Sequence, residues 1–138
     1  MTYAKPLPNS GRFTIHTFLL ATLLLFTCAG TSIAGPINTQ TAKQLIENKK
    51  VDFILDVRTP QEFKDGHLEG ATLIPLNQLQ SRLGEIAQFK NKSVLVYCAV
   101  GGRSGKASRF LKSSGFSNIL DMKGGIIDWA KRGYPVKK

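Results

Sequence analysis

The sequence predicts an α/β domain, a mostly parallel sheet with helices on either side, and three observations carry that prediction. Strands and helices alternate along the chain from Gly35 onward. The strands are short and apolar, consistent with burial on both faces. The 138 residues, 42% apolar and 20% charged, give one packed domain with no internal repeat, low-complexity tract or second domain.

The chain opens on a segment that reads as a secretory leader, 1–34. Lys5 and Arg12 form a basic start, and Phe18 to Ala29 form an apolar run. Small residues then lead to cleavage after Ala34. The run is shorter than the roughly 20 residues of a comfortable membrane span. Export to the periplasm is therefore expected, with an uncleaved membrane anchor or a buried helix as alternatives. Removal of the leader leaves 17 basic against 9 acidic residues, a net charge of +8. The basic residues are spread singly and are not interleaved with aromatics. That distribution favours small anions or acidic surfaces over nucleic acid.

From Gly35 the elements follow in order. Asn38 to Thr41 offer N-caps for a helix to Asn48, with Ala42, Leu45 and Ile46 inward. Val51 to Leu55 reads as a strand ending at Asp56. Pro60 to Lys64 suits one helical turn stopped by Gly66. Ala71 to Ile74 is a strand closed by Pro75, and Asn77 caps a helix carrying Leu79, Leu83 and Ile86. Val94 to Tyr97 is a buried strand, and a helix over 104–114 points Ala107, Phe110 and Leu111 inward before Gly115. Ser117 to Leu120 is a brief strand, and Gly124-Gly125 precedes a last helix, Ile126 to Lys131.

Between the strand at Tyr97 and the next helix lies Cys98-Ala99-Val100-Gly101-Gly102-Arg103-Ser104. A thiol there sits at the carboxyl end of a strand, below a helix N-terminus whose N–H groups lack intrahelical partners. Those donors, Arg103 and Lys106 one turn on favour a thiolate over a thiol. Gly101 and Gly102 allow the torsions such a turn needs. Cys98 is the one cysteine left after leader cleavage, which points to a reactive thiol rather than a disulfide. Ligands in such folds bind beyond the carboxyl ends of the strands, where Asp56 also lies.

Three blocks resemble the single-domain rhodanese-like sulfurtransferases. They are Leu55-Asp56-Val57-Arg58-Thr59-Pro60 through Gly66-His67-Leu68-Glu69-Gly70-Ala71 and on to Ile74-Pro75, the Cys98–Ser104 loop, and Gly124-Gly125-Ile126-Ile127-Asp128-Trp129 with Gly133-Tyr134-Pro135-Val136. The resemblance implies a rhodanese domain over 35–138, a three-layer fold on a sheet of about five strands flanked by helices. It also implies sulfur transfer. Cys98 takes a sulfane sulfur from a donor such as thiosulfate and passes it, as a persulfide, to cyanide or a thiol.

Several residues have two readings. Arg103 binds a sulfonate bidentately or braces the loop. Asp56 orients groups near Cys98 or ends the strand as a turn residue. Arg58 steers anions or pairs with Glu62, Asp65 or Glu69. Lys106 adds to the field at the loop or is simply solvated. His67 looks like a general base, whereas the resemblance implies a structural role, and Trp129 reads as core. The family often has arginine or another polar residue after the cysteine, where this chain has Ala99 and then Val100. The resulting apolar mouth leaves open a bulkier or thiol-type donor, or a protein partner. Two other activities fit parts of the same pattern. A persulfide carrier with little turnover differs from the enzyme only in its acceptor. A phosphatase or arsenate reductase needs a loop one residue longer than Ala99 to Gly102. No cofactor and no metal are expected, since Cys98 and His67 are the only soft ligands after processing and no GxGxxG is present. A monomer is expected.

Overall fold

The structure is a computed structural model that describes Met1, Thr2, Ala4 and residues 33–138. The apolar run read as a leader lies outside the described residues. No helix among the described residues is long and apolar enough to cross a membrane. Every element below belongs to the unit Thr31–Lys138.

Five parallel strands form one sheet: β1 Gly35–Ile37, β2 Phe53–Asp56, β3 Ala71–Leu73, β4 Ser93–Tyr97 and β5 Asn118–Met122, in the order β1-β5-β4-β2-β3. The central strand β4 is set by its neighbours, with Leu55 opposite Val96 on one side and Leu95 opposite Leu120 on the other. Its side chains alternate between two cores, as the two-residue strand period requires. Val94, Val96 and Cys98 join Leu55, Val57 and Ile119 on one face, covered by Ala107, Leu111 and Phe116. Leu95 and Tyr97 join Leu120 and Met122 on the other, covered by Ala42, Ile126 and Trp129. Helix α3 (Gly102–Ser113) therefore closes the first face, and α1 (Thr39–Glu47) with α4 (Gly125–Lys131) closes the second. Burying each such aliphatic side chain contributes about 1.5–3 kcal/mol.

The termini of the elements show how the residues choose them. Asn38 caps α1 through its side-chain oxygen, which accepts from the Thr41 N–H at 2.7 Å. Helix α2 (Pro60–Asp65) opens on a reciprocal cap in which Thr59 and Glu62 each accept the other's backbone N–H.

The expectations need correction at four points. Strand β1 is additional to the expected strands; it is three residues long and contains Pro36, which only an edge position tolerates. The helix expected from Asn77 is two 3-10 segments, Leu76–Gln78 and Leu83–Phe89, and Pro75 stands at the N-cap position with no side-chain cap. Gly84 weakens a continuous α-helix there, yet Leu79 and Ile86 still reach the core from the two short turns. Strand β5 runs on through Asp121 and Met122, past the expected end at Leu120. Phe110 is only half-buried, whereas Ala107 and Leu111 are wholly covered.

Leu111 is the largest fully buried side chain of α3. Leu111→Ala is expected to lower the unfolding free energy by about 2–5 kcal/mol in urea titration. A loss under about 1 kcal/mol would show that α3 does not anchor that core.

Candidate active site

Strand β4 delivers Cys98 to the carboxyl edge of the sheet, and the chain turns at once into α3. Gly101 is the N-cap of α3 with φ of 106°, in the left-handed region that glycine adopts freely. That turn aims the Gly101 N–H at Cys98 Sγ, 3.1 Å away. Cys98 is 1% exposed, and burial alone pushes its thiol up. The backbone N–H groups of Ser104, Gly101 and Val100 outweigh burial and hold the thiol below its ordinary value. The helix dipole of α3 acts in the same direction.

Three elements outside the loop hold it in this shape. The first turn of α4 donates Ile126 N–H to the Cys98 carbonyl at 2.9 Å and Ile127 N–H to the Ala99 carbonyl at 3.1 Å. This approach requires a glycine at 125, because a Cβ there would lie 2.3 Å from the Ala99 oxygen and 2.4 Å from the Cys98 oxygen. Strand β5 supplies Asp121, whose Oδ1 is 2.7 Å from the Ser104 hydroxyl and whose Oδ2 is 2.6 Å from Lys123 Nζ. Helix α2 supplies Glu62, which accepts two hydrogen bonds from the Arg103 guanidinium at 2.6 and 2.7 Å. Arg103 holds the Glu62 carboxyl down at about 2, against an ordinary 4.5. Arg103 thus braces the loop, and a sulfonate would have to share a guanidinium already engaged by a carboxylate.

Arg58 forms a buried pair with Asp56, not with Glu62, Asp65 or Glu69 as expected. The Asp56 carboxylate accepts Arg58 Nη2 at 2.6 Å, its Nε at 2.9 and 3.0 Å, and its backbone N–H at 2.9 Å. Arg58 Nη2 also donates to the Gly66 carbonyl at 2.7 Å, and the guanidinium lies 5.5 Å from the centre of the Tyr97 ring. Burial lowers the Arg58 pKa, but the Asp56 hydrogen bond and charge outweigh it and the net shift is upward. Arg58 is 5% exposed, so its charge serves β2 and α2 rather than the solvent. The Tyr97 hydroxyl accepts the Leu68 N–H at 3.1 Å, and burial pushes its pKa up.

The remaining residues fall outside the loop. His67 Nδ1 is 2.9 Å from the Phe63 carbonyl, its ring stacks on Phe63, and its backbone pairs with Lys137. Trp129 is 4% exposed and donates Nε1 to the Pro135 carbonyl at 2.8 Å. Lys106 is exposed. A groove of about 370 Å³ runs beside Arg103, lined by Val57 to Thr59 and Pro75 to Asn77. Among the described residues no group of three or more His, Cys, Asp or Glu is placed to hold a metal.

Sequence reasoning missed three supports of the loop. Glu62 carries a legible signal, since Thr59-Pro60-Gln61-Glu62 is a capping-box pattern, but its bond to Arg103 joins residues 41 apart. Asp121 lies beyond the expected strand end at Leu120, which falls two residues short of the observed end at Met122. Gly125 was seen only as a helix start.

Two substitutions test this construction. Gly125→Ala places a Cβ against the loop carbonyls at a residue with φ of 57°. It is expected to cost at least about 1–3 kcal/mol and to return the Cys98 thiol toward its ordinary value, read from thiolate absorbance against pH. An unchanged titration would show that α4 does not shape the loop. Glu62 is depressed in the folded protein, so its stabilising effect is complete above about 4.5 and is lost as pH falls through about 2. Glu62→Gln is therefore expected to be less stable than the wild type at neutral pH, with the gap closing below about pH 2; a gap independent of pH would mean the carboxylate charge plays no part.

Comparison with known proteins agrees with this geometry. The family model described as a Rhodanese-like domain matches residues 38–132. A sulfurtransferase from Allochromatium vinosum is 32% identical over 104 residues, covering 75% of this chain and 95% of that protein. The tRNA uridine(34) hydroxylase of Buchnera aphidicola is 32% identical over 99 residues, but the chain spans only 31% of that protein. The crystal structure of a rhodanese-related protein from Thermoplasma volcanium aligns with a TM-score of 0.65 and 37% identity, over 74% of this chain and 96% of that one. The five-stranded parallel sheet, the cysteine turn and these matches together establish that the chain belongs to the rhodanese-like domain family.

Proposed function

We propose that the protein is a sulfurtransferase that carries a sulfane sulfur on Cys98. One observation supports this above the others: Sγ accepts an N–H from Gly101 at 3.1 Å at the start of α3, and the thiol lies below its ordinary value. A thiolate in that setting is a nucleophile toward sulfur, and the surrounding amides hold the anion in either half of the cycle. With thiosulfate as donor, the thiolate attacks the outer sulfur, the sulfur–sulfur bond breaks and sulfite leaves with the bonding pair. Cyanide or a thiolate then attacks the outer sulfur of the persulfide and Cys98 departs as thiolate.

The chain's own residues divide this work. Backbone N–H groups of Val100, Gly101 and Ser104 stabilise charge on sulfur. Arg103, held by Glu62, fixes the start of α3, and Ala99 and Val100 leave the mouth without a charged side chain. That mouth favours a thiol-type acceptor over a strongly hydrated anion. The phosphatase reading has less support, because only four residues separate Cys98 from Arg103, one fewer than its loop needs. We also propose export, on the leader pattern of residues 1–34.

Mass spectrometry of protein purified from cells addresses both proposals. After thiosulfate, the Cys98 peptide is expected to gain one sulfur, which cyanide removes as thiocyanate, and Cys98→Ser is expected to do neither. The mature N-terminus is expected at Gly35. Failure of every sulfane donor to load Cys98 overturns the sulfurtransferase, and an intact Met1 overturns cleavage.

A further inference from the structure

The mouth of the Cys98 loop exposes two aliphatic side chains. Val100 is 64% exposed and Ile127 56% exposed. They belong to adjoining segments, because the Ile127 N–H donates to the Ala99 carbonyl. Single exposed aliphatics are ordinary on a protein surface. Here they lie on the two segments that meet at the Cys98 loop, and the helix that begins at that loop carries charge of one sign.

That charge comes from α3, which has Arg103, Lys106, Arg109 and Lys112 at every third position and no acidic residue from Gly102 to Ser113. Glu62 neutralises Arg103. Lys106, Arg109 and Lys112 are exposed and have no ion-pair partner among the described residues. Gly105 leaves room for a second cation, since Lys123 Nζ and Arg109 Nη1 lie 3.5 and 3.8 Å from the point where its Cβ would be. The one carboxylate at that point, Asp121, is 5% exposed and already serves Lys123 and Ser104. Cations gathered in this way attract an acidic surface and raise its encounter rate.

We propose that this face docks an acidic protein whose exposed thiol accepts the sulfur from Cys98, an assignment that rests on the sulfur-transfer reading. Val100 and Ile127 form the apolar contact, and Lys106, Arg109 and Lys112 form the charged one. In the transfer, the partner's thiolate attacks the outer sulfur of the Cys98 persulfide. A sulfur–sulfur bond forms on the partner as the bond to Cys98 breaks, and its electron pair stays on Sγ as thiolate. The proton on the outer sulfur travels with it, so no oxidant or reductant is consumed. Single-stranded RNA, the other polyanion, binds by stacking on aromatic platforms. No aromatic residue is among the large apolar side chains exposed on the described residues.

The test uses a fluorescent peptide with a run of glutamates, two leucines and one alkylated cysteine, titrated onto the full protein by anisotropy. The peptide is expected to bind at low salt, and its lysine counterpart is not. Arg109→Glu with Lys112→Glu is expected to weaken binding about tenfold. Lys49→Glu with Lys50→Glu makes the same charge change at the end of α1 and is expected to weaken it less than about twofold. Ile127→Ser is expected to weaken it at low and high salt alike. Equal effects of the two double variants, equal binding of both peptides, or preferential binding of an RNA oligonucleotide would overturn the surface. Sulfur transfer from loaded Cys98 to dithiothreitol, measured in parallel, separates the two proposals. No transfer overturns the sulfurtransferase, whereas transfer without preference for the acidic peptide overturns the docking surface alone.

Discussion

A sulfur anion inside a protein needs several N–H groups pointed at it at once, and in this chain they come from one short turn. Ordering the backbone of a residue costs about 1–2 kcal/mol, more for glycine, and the turn includes Gly101 and Gly102. A hydrogen bond to a charged group returns about 1.5–3 kcal/mol, so the thiolate cannot organise the turn by itself. The order comes from outside. Backbone N–H groups of α4 hold the Cys98 and Ala99 carbonyls, Asp121 on β5 holds Ser104, and Glu62 on α2 holds Arg103. Each brace reaches the loop from a different part of the chain, so the turn takes its shape only when the sheet and its helices are assembled.

These braces also determine which charges reach the sulfur. Arg103 and Lys123 stand close to the loop, but each is matched by a carboxylate, Glu62 and Asp121 respectively. The N–H groups that act on Sγ belong to the backbone, which does not titrate. The stabilising field is therefore steady across the pH range in which cysteine itself changes charge. Lys106, Arg109 and Lys112, which have no ion-pair partner among the described residues, lie further along α3 at the surface. Peptide dipoles thus serve the reacting atom, while full charges are left for long-range attraction.

The parts of this arrangement that are contiguous in the chain could be read from it. Strand, cysteine, glycine turn, arginine and helix follow one another over about twenty residues from Ser93 to Ser113, so burial pattern and turn chemistry locate the nucleophile directly. The supports were less legible because they are pairings between distant segments. Glu62 announces its local cap by pattern but gives no sign of Arg103, and Ser104 gives none of Asp121, 17 residues away. Gly125 looks like any helix-starting glycine until the Ala99 oxygen is placed 2.3 Å from its missing Cβ. Strand β1 has too few residues to show a period and exists by pairing with β5. The partner of Arg58 was missed for the opposite reason, since Asp56 and Arg58 are neighbours. They are two residues apart and close on each other in a tight turn, while acids further along seemed better placed as partners.

Tyr97 and Cys98 are consecutive, so strand geometry sends them to opposite faces of the sheet. Tyr97 faces Arg58 and Leu68 in the core behind β2, and Cys98 faces the beginning of α3. The Val57 N–H donates to the Tyr97 carbonyl at 3.1 Å, which links the Asp56–Arg58 turn to the residue before the nucleophile. Structural and chemical roles therefore meet at one strand end but differ in what their loss means. Removing one partner of a buried pair strands a charge and costs about 3–5 kcal/mol, a large part of the 5–15 kcal/mol that holds a domain together. Inactivity after loss of Asp56 thus reports on the fold, however close Asp56 lies to the loop. Inactivity after a change at Gly125 that leaves the protein folded reports on the loop itself. Only the second kind of result bears on the proposed sulfur chemistry.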